Sequence, residues 1–234
     1  MKKFFMFLAA AMCFAGFYSC ENNDDEGNQN NPPVQNYLTD VSIEKLKAIS
    51  GFSREEVDSL MNANSYSLAD SIQESGTNML MYSTEGNTMY IIYMIEGQVF
   101  GTSYVVSEPH AKTGVSKHKE MSLIAKNYAE KNQDIVYSAA ILDINEEESY
   151  YDTDIEYFNA LELIADKPEF VAGMEEYYIN INTDNDVMRN MLTVGPNENN
   201  YIAMLTYLNA NFKSVKSDVQ FQGMFIKTLL DNLK

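Results

Sequence analysis

Three features of this chain predict an α+β fold in which helices pack on antiparallel hairpins. Met79-Leu80-Met81-Tyr82 and Met89-Tyr90-Ile91-Ile92-Tyr93-Met94 are β-prone apolar runs joined by a polar turn at Glu85-Gly86-Asn87, the pattern of a hairpin. Met191-Leu192-Thr193-Val194 and Tyr201-Ile202-Ala203-Met204-Leu205 repeat that plan around Gly195-Pro196-Asn197. Beside the hairpins lie segments whose apolar residues recur at helical spacing. A parallel sheet would need a crossover helix after nearly every strand, so the hairpins point to an antiparallel one.

Taken in order, Ser42-Ile43-Glu44-Lys45 opens a short helix and Ser53-Arg54-Glu55-Glu56 a second, each with Ser as N-cap. Glu55 and Glu56 suit the positive end of the helix dipole. Gly51 separates the two. Ile43, Leu46 and Ile49, then Val57, Leu60 and Met61, give each an apolar face. The first hairpin is followed by a strand-like or loop segment and then a helix from Ser116 to Asn132. Ile135 to Leu142 is a β-prone run expected as a central strand, and Tyr177 to Ile181 fits another. Ile155 to Ala165 reads as a helix that stops ahead of Pro168. From Ser217 to Leu233, Phe221, Phe225, Leu229 and Leu233 recur every fourth residue, a stripe that should close a core. A helix thus follows each hairpin, and the plan predicts two related α+β halves, residues 37–132 and 133–234.

Residues 1–36 read differently. Met1-Lys2-Lys3, an apolar stretch from Phe4 to Phe17, and Ser19 ahead of Cys20 have the three parts of a secretory signal, with an apolar run short for a membrane span. Residues 20–36 are then dominated by Asn, Asp, Glu, Gly, Gln and Pro. Such a segment cannot repay the entropy of ordering and reads as a flexible tether, stiffened at Pro32-Pro33. The leader with its cysteine resembles that of bacterial lipoproteins. Glu21-Asn22-Asn23-Asp24-Asp25-Glu26 is similar to the acidic stretch after the lipidated cysteine in surface-exposed lipoproteins of the Bacteroidetes. The resemblance covers these residues alone and departs from the usual lipobox at Tyr18. It implies removal of residues 1–19, acylation of Cys20, and an outer-membrane lipoprotein held by its lipid and facing outward. Asp58-Ser59-Leu60 and Asp70-Ser71-Ile72 resemble the short O-glycosylation sites of exported proteins of that group.

The formal charge is −18, and loss of Lys2 and Lys3 with the leader makes it −20. A field of that sign repels phosphate backbones and argues against nucleic-acid partners. Cys13 leaves with the leader and Cys20 is acylated, so this processing leaves no thiol for disulfides, metal ligation or nucleophilic catalysis.

His110 and His118 are the two histidines. No Gly-x-Ser-x-Gly turn and no His-Glu-x-x-His spacing accompanies them, so a Ser-His-Asp relay or a zinc site is disfavoured and surface positions are expected. Carboxylates are denser. Asp143, Glu146, Glu147, Glu148, Asp152 and Asp154 form an acidic run, and Asn182, Asp184 and Asp186 alternate as oxygen ligands do in calcium loops. Val187 and Thr193 stand where an EF-hand needs Gly and Glu. Asp152, Asp154, Asn182, Asp184 and Asp186 are the candidate calcium ligands, at no better than millimolar strength; no other cofactor is expected. Tyr150, Tyr151, Tyr177 and Tyr178 lie in polar surroundings, as does Tyr66, and the first four are the candidate ligand platform, for a glycan or another surface protein.

Two function classes stay open at this level. The first is a non-catalytic binding or scaffold lipoprotein; the alternative is a carboxylate-dependent hydrolase of glycan or peptidoglycan, which needs two acids converging across a cleft. A polymerising subunit would need a displaceable terminal strand, against which the helical carboxy end argues.

Overall fold

The computed structural model describes residues 38, 40–74, 76–131, 135–168, 171–180, 186–194 and 200–209. Four helices and nine strands lie along them. In chain order they are α1 (Ile43–Ala48), α2 (Arg54–Ala63), β1 (Ser67–Glu74), β2 (Thr77–Ser83), β3 (Thr88–Ile95), β4 (Gln98–Glu108), α3 (Ala111–Ala129), β5 (Ile135–Asp143), β6 (Glu148–Tyr151), α4 (Asp154–Ala165), β7 (Val171–Asn180), β8 (Asp186–Val194) and β9 (Tyr201–Asn209). All strands join one sheet in the order β1-β2-β3-β4-β9-β8-β7-β5-β6, and every pairing is antiparallel. The fold is therefore α+β. The expected division at residues 132 and 133 falls between α3 and β5, and the sheet runs across it through β4 and β9. No described helix is long and apolar enough to cross a membrane.

Local chemistry sets the helix starts. Ser42 caps α1 by accepting from Lys45 N. Ser53 and Glu56 close a reciprocal capping box on α2, satisfying two otherwise orphan donors. Thr153 does the capping for α4. Both predicted hairpins pair as expected, Leu80 opposite Ile92 in β2–β3 and Met191 opposite Met204 in β8–β9.

Strand alternation separates two faces. Leu80, Tyr82, Tyr90, Ile92, Met94, Met174, Tyr178, Met188, Leu192, Ala203, Leu205 and Tyr207 share one core with residues of all four helices, among them Ile43, Leu46, Val57, Met61, Met121, Tyr157 and Leu161. The second face carries two clusters whose described members are all strand side chains. All four helices thus pack on one face.

Two expectations need correction, and one strand is additional to those expected. The helix expected to begin at Ser116 begins at Ala111 and includes Gly114, where a Cβ would sit 2.7 Å from the Cβ of Tyr201; glycine lets the helix approach β9 this closely. The run Ile135–Leu142 is a strand, but it lies next to the edge rather than centrally, flanked by β7 and the short β6. β1 was not foreseen. Its sequence, SLADSIQE, is polar, as suits an edge strand, and its alternation is broken by an irregularity between Leu68 and Asp70. The helix expected over 217–233 lies outside the described residues, as do Cys20 and the rest of residues 1–36.

Candidate functional site

The buried polar centre lies between α3 and the second half of the sheet. Glu176 on β7 and Asn190 on β8 are directly opposite in register, both turned toward the helices and both fully buried. Ser122, one turn along α3 from His118, donates its hydroxyl to Glu176 Oε2. Tyr137 OH donates to Oε1 at 3.1 Å and Tyr178 OH to the same oxygen at 3.0 Å. Asn190 Nδ2 lies 2.8 Å from Ser122 Oγ, 3.2 Å from Glu176 Oε2 and 3.0 Å from the carbonyl of His118. Burial pushes the Glu176 carboxyl above the ordinary carboxylate range, against the opposing pull of these donors. A carboxylate so enclosed ties α3 to β7 and β8 rather than meeting a substrate.

His118 corrects the surface expectation, for it is fully buried with Nε2 2.6 Å from Tyr157 OH. Burial pushes its imidazole down to about 3, opposed by a backbone hydrogen bond at Met191. The signal was present in the sequence: position 118 shares a helix face with Val115, Met121, Ser122 and Ala125, all buried. His110 is exposed ahead of α3, as expected.

The four candidate tyrosines do not converge. Tyr177 and Tyr178 are consecutive on β7 and point to opposite faces, as strand geometry requires, and both are buried. Tyr178 bonds Glu176, while Tyr177 donates to Glu175 beside Arg189. Tyr151 packs edge-on against Tyr157, 5.7 Å between centroids. Tyr66 is likewise buried, edge-on to Tyr90. Only Tyr150 presents its ring to solvent, with its hydroxyl held by Glu148 and its pKa pushed up to about 12 by that bond.

The candidate cation ligands are occupied by lysines or dispersed. Asp186 takes Lys47 Nζ at 2.6 Å and Tyr207 OH at 2.7 Å, linking α1 to the sheet. Burial works against the charge on Lys47, but the bond to Asp186 and its charge outweigh this and hold the Lys47 pKa above the usual value. Asp154 pairs with Lys126 at 2.6 Å, and Asp152 is exposed. Asn182 and Asp184 lie outside the described residues. Among the described residues no group of three or more His, Cys, Asp or Glu side chains is placed to hold a metal ion.

What the sequence reading missed is how many apolar side chains are exposed on the excursion between β5 and β7. Residues 144–168 leave the meander to form β6 and α4, and the four most exposed large apolar side chains of the described residues are all there. They are Ile144 at 63%, Tyr150 at 64%, Ile155 at 66% and Leu163 at 78% exposed. Glu146, Glu147, Glu148, Asp152, Glu156 and Glu162 surround them in sequence, and all are exposed. Elsewhere, a depression of about 270 Å³ is lined by Asp40, Val41, Tyr104, Lys117, Glu120, Met121 and Ile124, with Glu120 held by Lys117 at 2.5 Å. No protein-family model, no curated protein and no solved structure matches this chain.

Proposed function

We propose that this protein is a lipid-anchored binding or scaffold lipoprotein of the outer membrane, acylated at Cys20, facing outward, whose contact surface is the β6–α4 excursion. The observation that carries the binding reading is the concentration of exposed apolar side chains in that one excursion. Large apolar groups fully in water are disfavoured at about 25 cal/mol per Å², and four within one short stretch mark a surface that gains from being covered. The acidic residues around them select a partner or ligand with basic or hydrogen-donating groups at its rim. The polar centre supports a non-catalytic role, since Glu176 is enclosed by its own donors. For the anchor, the support is the leader and Cys20 themselves; several acyl chains at about 0.8 kcal/mol per methylene would hold the chain firmly.

The two-halves reading belongs here as well. β1-β2-β3-β4 and β5-β7-β8-β9 are each four-stranded meanders, and they meet at β4 and β9; the β6–α4 excursion is then an insertion in the second.

The test is a thermal-shift screen of the chain from residue 21 against calcium, glycans and peptidoglycan fragments. A ligand at a hundred times its Kd adds about 2.7 kcal/mol. The expected result is a shift that Tyr150→Ala abolishes without lowering the unliganded Tm. A shift indifferent to Tyr150, Ile155 and Leu163 would move the site elsewhere. Partition of Cys20→Ala with membranes would sink the anchor. The hydrolase reading keeps one foothold, the depression holding Asp40 and Glu120; glycan cleavage lost in Glu120→Gln would favour it.

A further inference from the structure

The two edges of the sheet are built differently. β1 reads SLADSIQE, and an irregularity between Leu68 and Asp70 breaks its alternation, a device that blunts an edge against pairing. β6 stands at the other end of the sheet and pairs, among the described strands, with β5 alone. The turn before β6 fixes which of its backbone groups face outward. Asp143 N–H donates to the carbonyl of Glu147 at 3.0 Å, with Glu146 in the left-handed region at φ 64°. Antiparallel pairing alternates from that bond onward. Ser149 and Tyr151 therefore bond toward their β5 partners, Ile141 and Ala139, and the N–H and C=O of Glu148 and Tyr150 point away from the sheet.

Exposed apolar side chains flank that edge on both faces. Tyr150 stands on the face opposite the helices, in line with Ala140 and Glu175 across β5 and β7. On the helix face, α4 lies over β5 and β6, while α3 lies inward over β4, β9, β8 and β7. Asp154, Phe158 and Glu162 of α4 meet lysines of α3, and Tyr157 and Leu161 enter the core. At about 100° per residue, Glu156, Ala160 and Leu163 then fall on the side turned from α3 toward the edge, and Leu163 is exposed there. Charge is one-sided as well. Glu146, Glu147, Glu148, Asp152 and Glu156 are exposed, and Lys167 is the one basic residue between positions 144 and 168. We propose that β6 accepts an extended segment of another protein, one that alternates apolar residues with Lys or Arg and adds as a strand beyond it; this deepens, and rests on, the reading of the excursion as the contact surface. Backbone bonds to Glu148 and Tyr150 supply the pairing. Leu163 on one face and Tyr150 on the other receive the apolar side chains, and the acidic rim selects the basic ones. The same acids disfavour a second copy as the added strand, since β6 paired with itself sets Glu147, Glu148 and Asp152 against like charges.

The probe is a short synthetic peptide alternating Lys and Val, titrated into the full chain by calorimetry beside one alternating Glu and Val; only the basic peptide should bind. In hydrogen exchange followed residue by residue, the Glu148 and Tyr150 amides should exchange freely in the unbound chain and slow by about tenfold or more with the peptide bound. Glu148→Pro removes an N–H turned away from β5, a change that an edge strand tolerates. It should leave the urea midpoint unchanged and weaken the peptide about tenfold, whereas Glu148→Gln, which removes charge alone, should weaken it no more than about threefold. Binding that Tyr150→Ala and Leu163→Ala abolish, but that protects neither amide and ignores Glu148→Pro, would overturn strand addition and leave the contact surface standing. Binding indifferent to all of these substitutions would overturn both. No binding of the basic peptide, or the two amides already protected in the unbound monomer, would overturn strand addition by a partner; protection that grows with protein concentration alone would overturn it in favour of a second copy.

Discussion

The two wings of the sheet hold their helices by different means. In β2 and β3 the opposed pair facing the helices is Leu80 and Ile92, both buried and apolar. In β7 and β8 the opposed pair is Glu176 and Asn190, bonded to Ser122 on α3. Apolar burial is strong but non-directional. A hydrogen-bonded carboxylate is directional, and its net contribution over an apolar pair is small or negative. The first wing therefore supplies cohesion, and the second fixes where along the sheet α3 sits.

The sharpest way to break this contrast is Glu176→Ala. It strands Ser122, Asn190, Tyr137 and Tyr178 without their shared acceptor, and a loss of about 3–5 kcal/mol is expected in urea unfolding. Leu80→Ala should cost about 2–5 kcal/mol by cavity formation alone. The two differ in rescue: replacing the polar group together, as Glu176→Met with Ser122→Ala, Asn190→Leu, Tyr137→Phe and Tyr178→Phe, should recover at least half of the loss, because no donor is then left unpaired. Failure to recover would mean the network contributes net stability.

Gly114→Ala tests how closely α3 must approach. The new methyl meets the Cβ of Tyr201, which cannot swing aside. A net loss of about 1–2 kcal/mol in thermal unfolding is expected, the clash outweighing the helix preference for Ala of about 1 kcal/mol.

The buried histidine adds a pH dependence. His118 is pushed down to about 3 when folded and titrates near ~6.5 when unfolded. The unfolded state therefore binds the extra proton across that window, so stability falls as pH drops below ~6.5, by at most about 1.4 kcal/mol per unit. Glu176, raised in the fold, has the opposite sign above its unfolded value. His118→Gln should flatten the acid limb of a stability-against-pH curve; an unchanged limb would assign it to carboxylates such as Glu44, whose own backbone hydrogen bond holds it below the usual range. The smallest effect is expected for Ser53→Ala, about 1 kcal/mol from the lost capping box.

Much of the fold was legible in local chemistry. Ser42 and Ser53 announced their helices because caps act within one turn, and both hairpins were visible because their apolar runs are flanked by turn residues. What failed was whatever depends on the third dimension. β1 is an edge strand whose polar sequence hides it, and β5 is as apolar as a central strand while lying one place from the edge. The tyrosines looked like a platform because sequence neighbours were counted as spatial ones; on β7 adjacency sends Tyr177 and Tyr178 to opposite faces. Ile144, Ile155 and Leu163 were passed over because an apolar residue reads as core until its exposure is known.

The junction of β4 and β9 has a kinetic consequence. Gly101 pairs with Leu208 and Glu108 with Tyr201, so the middle of the sheet is completed by the last described strand. Closing so long a loop is entropically slow, and until β9 arrives β4 offers an open, largely apolar edge to any neighbouring chain. Whatever guards the nascent polypeptide must stay bound until β9 itself has emerged, and changes that delay β9 should appear first as aggregation during refolding, before any loss of final stability.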